Sequence, residues 1–361
     1  MKITFPYIGP VKAYKKLLEI LGHEVVMASR PSTASISLGI KHSPEFICFP
    51  FKVILGSYLE AIARGADTVV TAGGVGACRA GYFGDLSRRI LKQMGYDVKF
   101  YIFNSIFDDF PAFYGQIREL TRGISIKKVL STMWFVLRMV YISDSYEKKI
   151  NALRPYEVNY GDCKKAWLQI QELFEHSNNM RELNNNMKIA DELIAAIRTR
   201  PRNDVLKIGV VGEIYYVMES ALNNDLEDRL GRDGVQVLRN KYISHWLNHN
   251  LWPPFLKNPH HRITEKANSY LRHGLGGHER ENIGYILHFK ESGCDGIIHL
   301  MPFGCMPELV TQTIIPHLSR DLDIPILSLS LDEQTGWVNV QARLEAFLDL
   351  LRNRKEHARY I

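Results

Sequence analysis

The sequence has no hydrophobic run long enough to cross a lipid bilayer. Its most apolar window, residues 129–142, is shorter than the ~20 residues of a membrane span and carries Arg138 in its middle. We therefore expect a buried helix there. The first residues, MKITFPYIG, lack the apolar core and cleavage site of a secretory signal. We expect a cytoplasmic protein that does not associate with a membrane.

The sequence also lacks dense tracts of charge of either sign. Lys and Arg number 45 and Asp and Glu number 39, so the formal net charge is +6 and is spread along the chain. Nucleic-acid-binding proteins concentrate their basic residues on one face or in one segment. The mild excess is weak support for such a partner, and we expect none.

Cysteine is scarce, with five residues in 361. The count is odd, no CxxC pair is present and the residues are not closely spaced. A disulfide scaffold is therefore not expected. The spacing alone specifies neither a zinc site nor a ferredoxin-type cluster. With 46% hydrophobic residues, the chain can instead bury a sizeable core, and two domains are the natural expectation for its length.

Nucleotide-binding motifs are absent as well. The sequence contains no P-loop GxxxxGK[ST]. The glycine-rich stretch AGGVGACRAG, residues 72–81, follows a predicted strand but does not match the dinucleotide pattern GxGxxG. A cysteine also stands where the helix of that motif would begin. The sequence therefore gives only weak support for a dinucleotide site.

What the chain does contain is a regular alternation of short apolar runs and amphipathic stretches at both ends. This pattern predicts an α/β fold with parallel strands, among them residues 68–72, 98–103, 206–211 and 296–300. Between residues 105 and 202 the pattern is helical. We predict two Rossmann-like α/β/α domains, residues 1–104 and 205–361, joined by a helical linker or lid of residues 105–204. The active-site cleft would lie at the domain interface.

Three cysteines are predicted to lie in the same kind of place, a loop that leads from a strand into a helix. They are Cys48, Cys78 and Cys305. Backbone amides at a helix start favour negative charge and lower the pKa of a thiol, and thiolates are the ligands of iron–sulfur clusters. The alternative is that each is a small buried hydrophobic residue. Cys294 is predicted to be structural, and Cys163 remains open as a further ligand.

Three polar residues are candidates for other roles. Glu213 follows a predicted strand and could donate a proton or hold a substrate hydroxyl, or merely cap a helix. His278 lies in a glycine-rich turn and could be an acid, a base or an exposed loop residue. Arg79, beside Cys78, could offset the charge of a cluster or form a surface ion pair. The sequence leaves each pair of alternatives open.

Several stretches together resemble a known family. They comprise residues 47–67, ICFPFKVILGSYLEAIARGAD, with 76–95, GACRAGYFGDLSRRILKQMG; residues 209–237, GVVGEIYYVMESALNNDLEDRLGRDGVQV; and residues 293–308, GCDGIIHLMPFGCMPE, with the stretch 329–351. They resemble the component D family of 2-hydroxyacyl-CoA dehydratases and its single-chain relatives, which are labelled CoA-substrate-specific enzyme activases and include double-cubane cluster proteins. The resemblance covers both predicted domains but not the helical middle.

The resemblance implies an oxygen-sensitive iron–sulfur protein. Cys48, Cys78 and Cys305 match the three cysteines that hold a 4Fe–4S cluster, or a double-cubane cluster in one branch. In the dehydratases, the fourth iron position is left for substrate, water or another sulfur. An ATP-dependent activator delivers one electron, and the resulting ketyl radical of a CoA thioester expels its hydroxyl group. Because this chain lacks a P-loop, it resembles the electron acceptor and not the activator.

Two other functions remain open at this point. The chain could be a non-catalytic iron–sulfur electron carrier or assembly subunit. It could also be a metal-free α/β protein that binds a nucleotide or CoA. The dehydratases consist of two related subunits, so the resemblance implies a homodimer or a heterodimer with a related chain. A lyase or reductase acting on a small substrate is the first hypothesis.

Overall fold

The computed structural model describes residues 1–74, 76–107, 109–251 and 259–357. The chain divides into two compact units. Unit 1 comprises Met1–Tyr146, Trp167–Leu193 and Ile243–Pro254, and unit 2 comprises Glu147–Ala166, Ile194–Tyr242 and Phe255–Ile361. Val75, in the glycine-rich stretch, lies outside the described residues. The sequence pattern also predicts a long helical region that ends at about residue 292, and its residues 252–258 lie outside the described residues.

Unit 1 contains a four-stranded parallel sheet in the order β2-β1-β3-β4. Its strands are β1 (Lys2–Thr4), β2 (Glu24–Val25), β3 (Thr68–Ala72) and β4 (Lys99–Phe103). Its helices are α1 (Val11–Ile20), α2 (Thr33–His42), α3 (Phe49–Ala63), α4 (Phe83–Gln93) and α5 (Phe110–Leu120). The pattern of residues 2–8 predicts a strand there, and β1 is shorter because Pro6 has no N–H to continue the ladder.

Unit 2 contains a second four-stranded parallel sheet, in the order β6-β5-β7-β8. Its strands are β5 (Leu206–Gly212), β6 (Val235–Arg239), β7 (Gly296–Pro302) and β8 (Ile326–Leu331). Every residue of β7 is buried, as expected for a central strand of a parallel sheet with both faces covered. Its helices are α9 (Ile214–Met218), α10 (Leu226–Arg232), α12 (Pro259–Glu265), α13 (Glu279–Glu291), α14 (Met306–Asp321) and α15 (Trp337–His357), whereas α11 (Ile243–Leu251) belongs to unit 1.

In the described part of the chain, three further helices lie with α5 between β4 and β5. They are α6 (Ile126–Leu153), α7 (Asp162–Glu175) and α8 (Met180–Ala195). The predicted helical pattern of residues 105–202 is therefore confirmed. Among the described residues, no helix combines the length and the apolar content that a bilayer crossing requires. The chain is thus of the mixed α/β class, whereas its division at residues 104 and 204 stays a prediction.

The two sheets have the same internal order. In each, the second strand in sequence lies on one side of the first strand, and the third and fourth strands lie on the other side. The loops that follow the first and third strands therefore leave the sheet in opposite directions at its carboxyl end. In open α/β sheets, this point is where ligands bind. Each unit thus has one such point, after β1 and β3 in unit 1 and after β5 and β7 in unit 2.

Candidate functional site

Each of the three predicted cluster ligands lies immediately before a helix. Cys48 is the N-cap residue of α3 and Cys305 is the N-cap residue of α14. Cys78 caps a short 3₁₀ turn, Arg79–Tyr82, that continues directly into α4. The helix dipole favours negative charge at such a position.

The loop before Cys48 differs from the prediction. Cys78 follows β3 and Cys305 follows β7, as expected, but Cys48 follows helix α2 and no strand. The reason lies in Ser32 and Ser35, which form a capping box that starts α2 at Thr33. The predicted strand-to-helix loop is therefore wrong for Cys48, although its place directly before a helix is confirmed.

In unit 1 the segments of Cys48 and Cys78 lie side by side. Arg79 Nη1 donates a hydrogen bond of 2.8 Å to the carbonyl oxygen of Phe46, two residues before Cys48. The first turns of α3 and α4 also meet, since the rings of Phe51 and Phe83 pack edge to face with centroids 5.2 Å apart. The structure thus brings together the segments that carry two of the three predicted ligands, and Arg79 makes a contact between these segments.

The other two cysteines have a different environment. Cys163, in α7, and Cys294, directly before β7, are both buried. Burial raises the pKa of each thiol to about 12, and the carboxylate of Glu157 acts in the same direction on Cys163. A thiol that stays protonated is a poor metal ligand and nucleophile. Their environments favour a structural role for both, as predicted for Cys294.

Within the described ranges, no three His, Cys, Asp or Glu side chains are grouped so that they could hold a metal ion. Cys48 and Cys78 belong to unit 1, whereas Cys305 belongs to unit 2. Each unit by itself therefore supplies only part of the predicted ligand set.

Glu213 lies at the carboxyl end of the sheet in unit 2. It caps α9, and its Oε2 accepts hydrogen bonds of 3.0 Å from the backbone N–H groups of Tyr215 and Tyr216. Burial nevertheless raises the pKa of Glu213 to about 7, and the charge of Glu308 acts in the same direction. The backbone hydrogen bonds and His278 oppose this shift. The group is a helix cap, and its pKa also suits proton transfer near neutral pH.

His278 is held by a chain of charged partners. It is the N-cap residue of α13, and its Nδ1 lies 2.9 Å from Oε2 of Glu281. The ammonium of Lys241, whose side chain is buried, donates to the same oxygen. Because an ionised carboxylate only accepts hydrogen bonds, Nδ1 carries the proton. In the neutral imidazole, Nε2 then carries the lone pair available to a ligand or a proton.

A buried hydrogen-bond chain that the sequence did not reveal crosses the sheet of unit 2. Asn282 Oδ1 accepts from Asn240 Nδ2 at 2.9 Å and from the backbone N–H of Gly212 at 3.3 Å. Asn282 Nδ2 donates to Oε1 and Oε2 of Glu308 at 2.9 and 2.8 Å. Glu308 Oε2 also lies 2.8 Å from His299 Nε2.

This chain connects all four strands of the sheet. Asn240 follows β6, Gly212 ends β5 and His299 lies in β7; Nδ1 of His299 lies 2.8 Å from Oγ of Ser328 in β8. Glu308, three residues after Cys305, is in the first turn of α14. The sequence signal for Glu308 was its position three residues after the predicted helix start at Cys305, because an acidic residue is favoured in the first turn of a helix. The chain fixes the Gly212–Glu213 turn relative to the helix that Cys305 caps.

A scan of the chain against models of known protein families finds no match, and a search of curated proteins finds no match either.

Proposed function

We propose that the chain is a cytoplasmic iron–sulfur protein of the type represented by component D of the 2-hydroxyacyl-CoA dehydratases. Cys48, Cys78 and Cys305 would hold a 4Fe–4S or a double-cubane cluster. The chain would accept low-potential electrons from an ATP-dependent activator and reduce or dehydrate a small substrate. The proposal includes two Rossmann-like domains with a substrate cleft at their interface, and a second copy or a related subunit as partner.

The observation that carries this proposal is the shared position of the three thiols. Three of the five cysteines are helix N-cap residues, and the other two are buried thiols with a raised pKa. Thiolate donors at helix N-termini fit an anionic iron–sulfur cluster, because the amides there can offset its charge. In unit 1, the hydrogen bond from Arg79 to Phe46 also brings the Cys48 and Cys78 segments together.

When bound, the cluster would supply one-electron transfer at low potential. The chain's own residues would then have three tasks. Arg79 holds the Cys48 and Cys78 segments together, Glu213 exchanges a proton near neutral pH, and His278 is oriented by Glu281 for contact with a bound group. These are the roles that their hydrogen bonds support.

A metal-free nucleotide site in unit 2 is less well supported. A phosphate would need the open N–H groups of a helix start. At α9 those groups are bonded to Glu213, and the first turn of α14 contains the carboxylate of Glu308. The N–H groups of α9 are therefore occupied, and the carboxyl group of Glu308 lies at the other helix start of this sheet end.

The test is iron and acid-labile sulfide content, with the visible spectrum, of protein purified without oxygen. We expect about four or about eight iron atoms per chain, lost in each of Cys48→Ala, Cys78→Ala and Cys305→Ala. The matched control is Cys294→Ala, because Cys294 and Cys305 are equally buried, with 6% of each residue exposed. A colourless, iron-free wild type after anaerobic reconstitution would refute the proposal.

A second experiment separates a catalyst from an electron carrier. A 2-hydroxyacyl-CoA is added to the reduced, reconstituted protein while its electron paramagnetic resonance (EPR) spectrum is recorded. A catalyst should show a changed cluster signal and form the unsaturated thioester. An unchanged signal and no product, across 2-hydroxyacyl-CoA esters of several chain lengths, would favour the carrier.

A further inference from the structure

Unit 1 contains a cavity of about 340 Å³ between α1 and α7. Lys12, Lys15 and Lys16 of α1 and Glu172 and Glu175 of α7 line it, with a further glutamate, a histidine and an asparagine. All of these residues belong to unit 1. The volume suits a small molecule, and a lining without apolar side chains suits a polar one.

Most of the charge in this cavity is paired across the two helices. Nζ of Lys12 lies 2.7 Å from Oε2 of Glu175, and Nζ of Lys15 lies 2.8 Å from Oε1. Burial acts to raise the pKa of Glu175, but the hydrogen bonds from both ammonium groups lower it to about 2. These ion pairs join α1 to α7, so Lys12, Lys15 and Glu175 have a structural role.

Lys16 is different, because its ammonium is buried without a counter-ion. The residue is 9% exposed, and its Nζ donates to Oδ1 of Asn178 at 3.0 Å. Among the described residues, Lys16 has no ion pair and no second acceptor, although an ammonium has three N–H donors. Glu182 acts on Lys16 only at longer range, and its oxygens accept hydrogen bonds from Asn178 and Asn179. A buried charge with so few partners is costly.

Glu172 presents the opposite charge to the same cavity. Its side chain is exposed and, in the part of the chain that the structure describes, forms no ion pair. The cavity therefore has one unpaired charge of each sign, on Lys16 and on Glu172. An anion such as phosphate would meet the negative charges of Glu172 and Glu19. A molecule that carries both charges would match both side chains.

We propose that this cavity binds a small zwitterion of the amino-acid class, whose carboxylate accepts from Lys16 and whose ammonium lies against Glu172. Asn178 positions Lys16 for this contact. Its Nδ2 donates to the carbonyl oxygen of His176 at 3.2 Å and to Oε2 of Glu182 at 3.3 Å, which leaves Oδ1 for the ammonium of Lys16. The donor is thus held in place before the ligand arrives. The site shares no residue with the proposed cluster protein's ligands or proton-transfer groups.

The experiment uses the full chain, purified without oxygen. Saturation-transfer difference NMR detects binding of L-alanine, β-alanine and L-glutamine, and isothermal titration calorimetry gives the affinities. The matched probes are propionate, which lacks the ammonium, ethylamine, which lacks the carboxylate, and inorganic phosphate. We expect at least one zwitterion to bind about tenfold more tightly than propionate, ethylamine or phosphate.

Three variants assign the binding to the cavity. Lys16→Met keeps the buried apolar stem but removes the ammonium, and it should lower the affinity for the zwitterion about tenfold or more. Glu172→Gln should remove most of the preference for the zwitterion over propionate. The control is Lys41→Met, at an exposed lysine in α2, which should change the affinity by less than about twofold.

Each result decides for or against the proposal. Binding of no zwitterion overturns it, as does an affinity that is unchanged in Lys16→Met. Propionate or phosphate that binds as tightly as the zwitterions also overturns it and would define a simple anion site. If Lys16→Met fails to fold by circular dichroism, Lys16→Gln and the exposed Glu172→Gln decide the result.

Discussion

The two units share a strand order but differ in how they fill the carboxyl end of the sheet. In unit 2, buried polar side chains from β6 to β8 are joined by the chain through Asn282 and Glu308. In unit 1, by contrast, Thr4 Oγ1 and Ser87 Oγ are buried and have no hydrogen-bond partner among the described residues. The same topology thus accommodates buried polar side chains that are joined by hydrogen bonds and others that are not. In unit 2, the hydrogen bonds hold the side chains of Asn282 and Glu308 in defined positions.

The largest expected effect comes from breaking the polar chain of unit 2. Asn282→Asp removes two donors to Glu308 and places a second buried carboxylate against it. We expect a loss of about 3 kcal/mol in the free energy of unfolding, measured by urea denaturation. Hydrogen exchange should show faster amides in β7. The exposed Asn339→Asp should change stability by less than about 0.5 kcal/mol, and equal losses in the two variants would contradict this view of the core.

A second prediction concerns a feature that the units have in common. α3 packs on α2 at Gly56, and α13 packs on α12 at Gly284. An added β-carbon would lie 1.9 Å from the carbonyl oxygen of Ser35 in the first case and 2.1 Å from that of Ile263 in the second. Gly56→Ala and Gly284→Ala should each lower the free energy of unfolding by about 2 kcal/mol.

The matched control for these glycines is Gly115 in α5, where an added β-carbon meets nothing within 4 Å. Gly115→Ala should be neutral or stabilise the protein by up to about 1 kcal/mol, because alanine favours the helix. Thermal denaturation of the three variants gives the comparison. A neutral Gly284→Ala beside a destabilising Gly56→Ala would show that the two helix pairs are not equivalent.

Glu213 makes the stability of unit 2 depend on pH. Its pKa is about 7 in the folded protein and near its ordinary value of 4.5 in the unfolded chain. The folded state therefore holds the proton longer, and stability falls as pH rises from 4.5 to 7. Because the side chain partly meets water, we expect a loss of about 2 kcal/mol.

Urea denaturation of the wild type and Glu213→Gln between pH 4.5 and 7.5 measures this contribution. The variant should lack the fall in stability that the wild type shows. If the free energy of unfolding depends on pH in the same way in both proteins, the titrating group is not Glu213. No corresponding acidic residue follows β1, where the sequence reads Phe5-Pro6-Tyr7. Hydrogen exchange should therefore show the pH-dependent loss of stability in unit 2 and not in unit 1.

The smallest expected effect compares two buried threonines. Thr4→Val in unit 1 removes a hydroxyl without a partner and should be neutral or gain about 1 kcal/mol. Thr311→Val in unit 2 removes a hydroxyl that donates to the carbonyl oxygen of Pro307 at 3.3 Å and should lose about 1 kcal/mol. Differential scanning calorimetry can show whether the two substitutions change stability in opposite directions. A change in the same direction for both would contradict this difference between the two units.

Local sequence pattern predicts the elements that are strongly periodic or continuously apolar. β3 matches the prediction at both ends, Thr68 and Ala72, and helix α6 (Ile126–Leu153) lies within the predicted helical region 105–202. Helix α2 was not predicted, because its sequence, TASISLGIKH, is rich in small and β-branched residues and has little helical periodicity. Its start depends on the capping box at Ser32.

The site was predictable only where one residue and its neighbours define it. Cys78 and Cys305 were predicted to lie in loops that lead from a strand into a helix, and both positions are confirmed. Asn282 and His299 could not be found in this way. A polar residue inside a helix or strand is usually exposed, and nothing within a few positions shows that Asn282 meets Asn240 and Glu308 across the sheet. Such long-range pairs exist only once the strand order is fixed.

The hydrogen bond between Arg79 and Phe46 has a consequence for the order of assembly. It closes a short loop within the first hundred residues, so the paired segment of Cys48 and Cys78 can form early, while the ribosome is still making the chain. Cys305 emerges more than two hundred residues later. In the proposed cluster protein, iron and sulfide would therefore be inserted only after Cys305 is made, into a chain whose Cys48 and Cys78 segments are already paired. Any machinery that delivers them must recognise the finished protein and not a nascent segment.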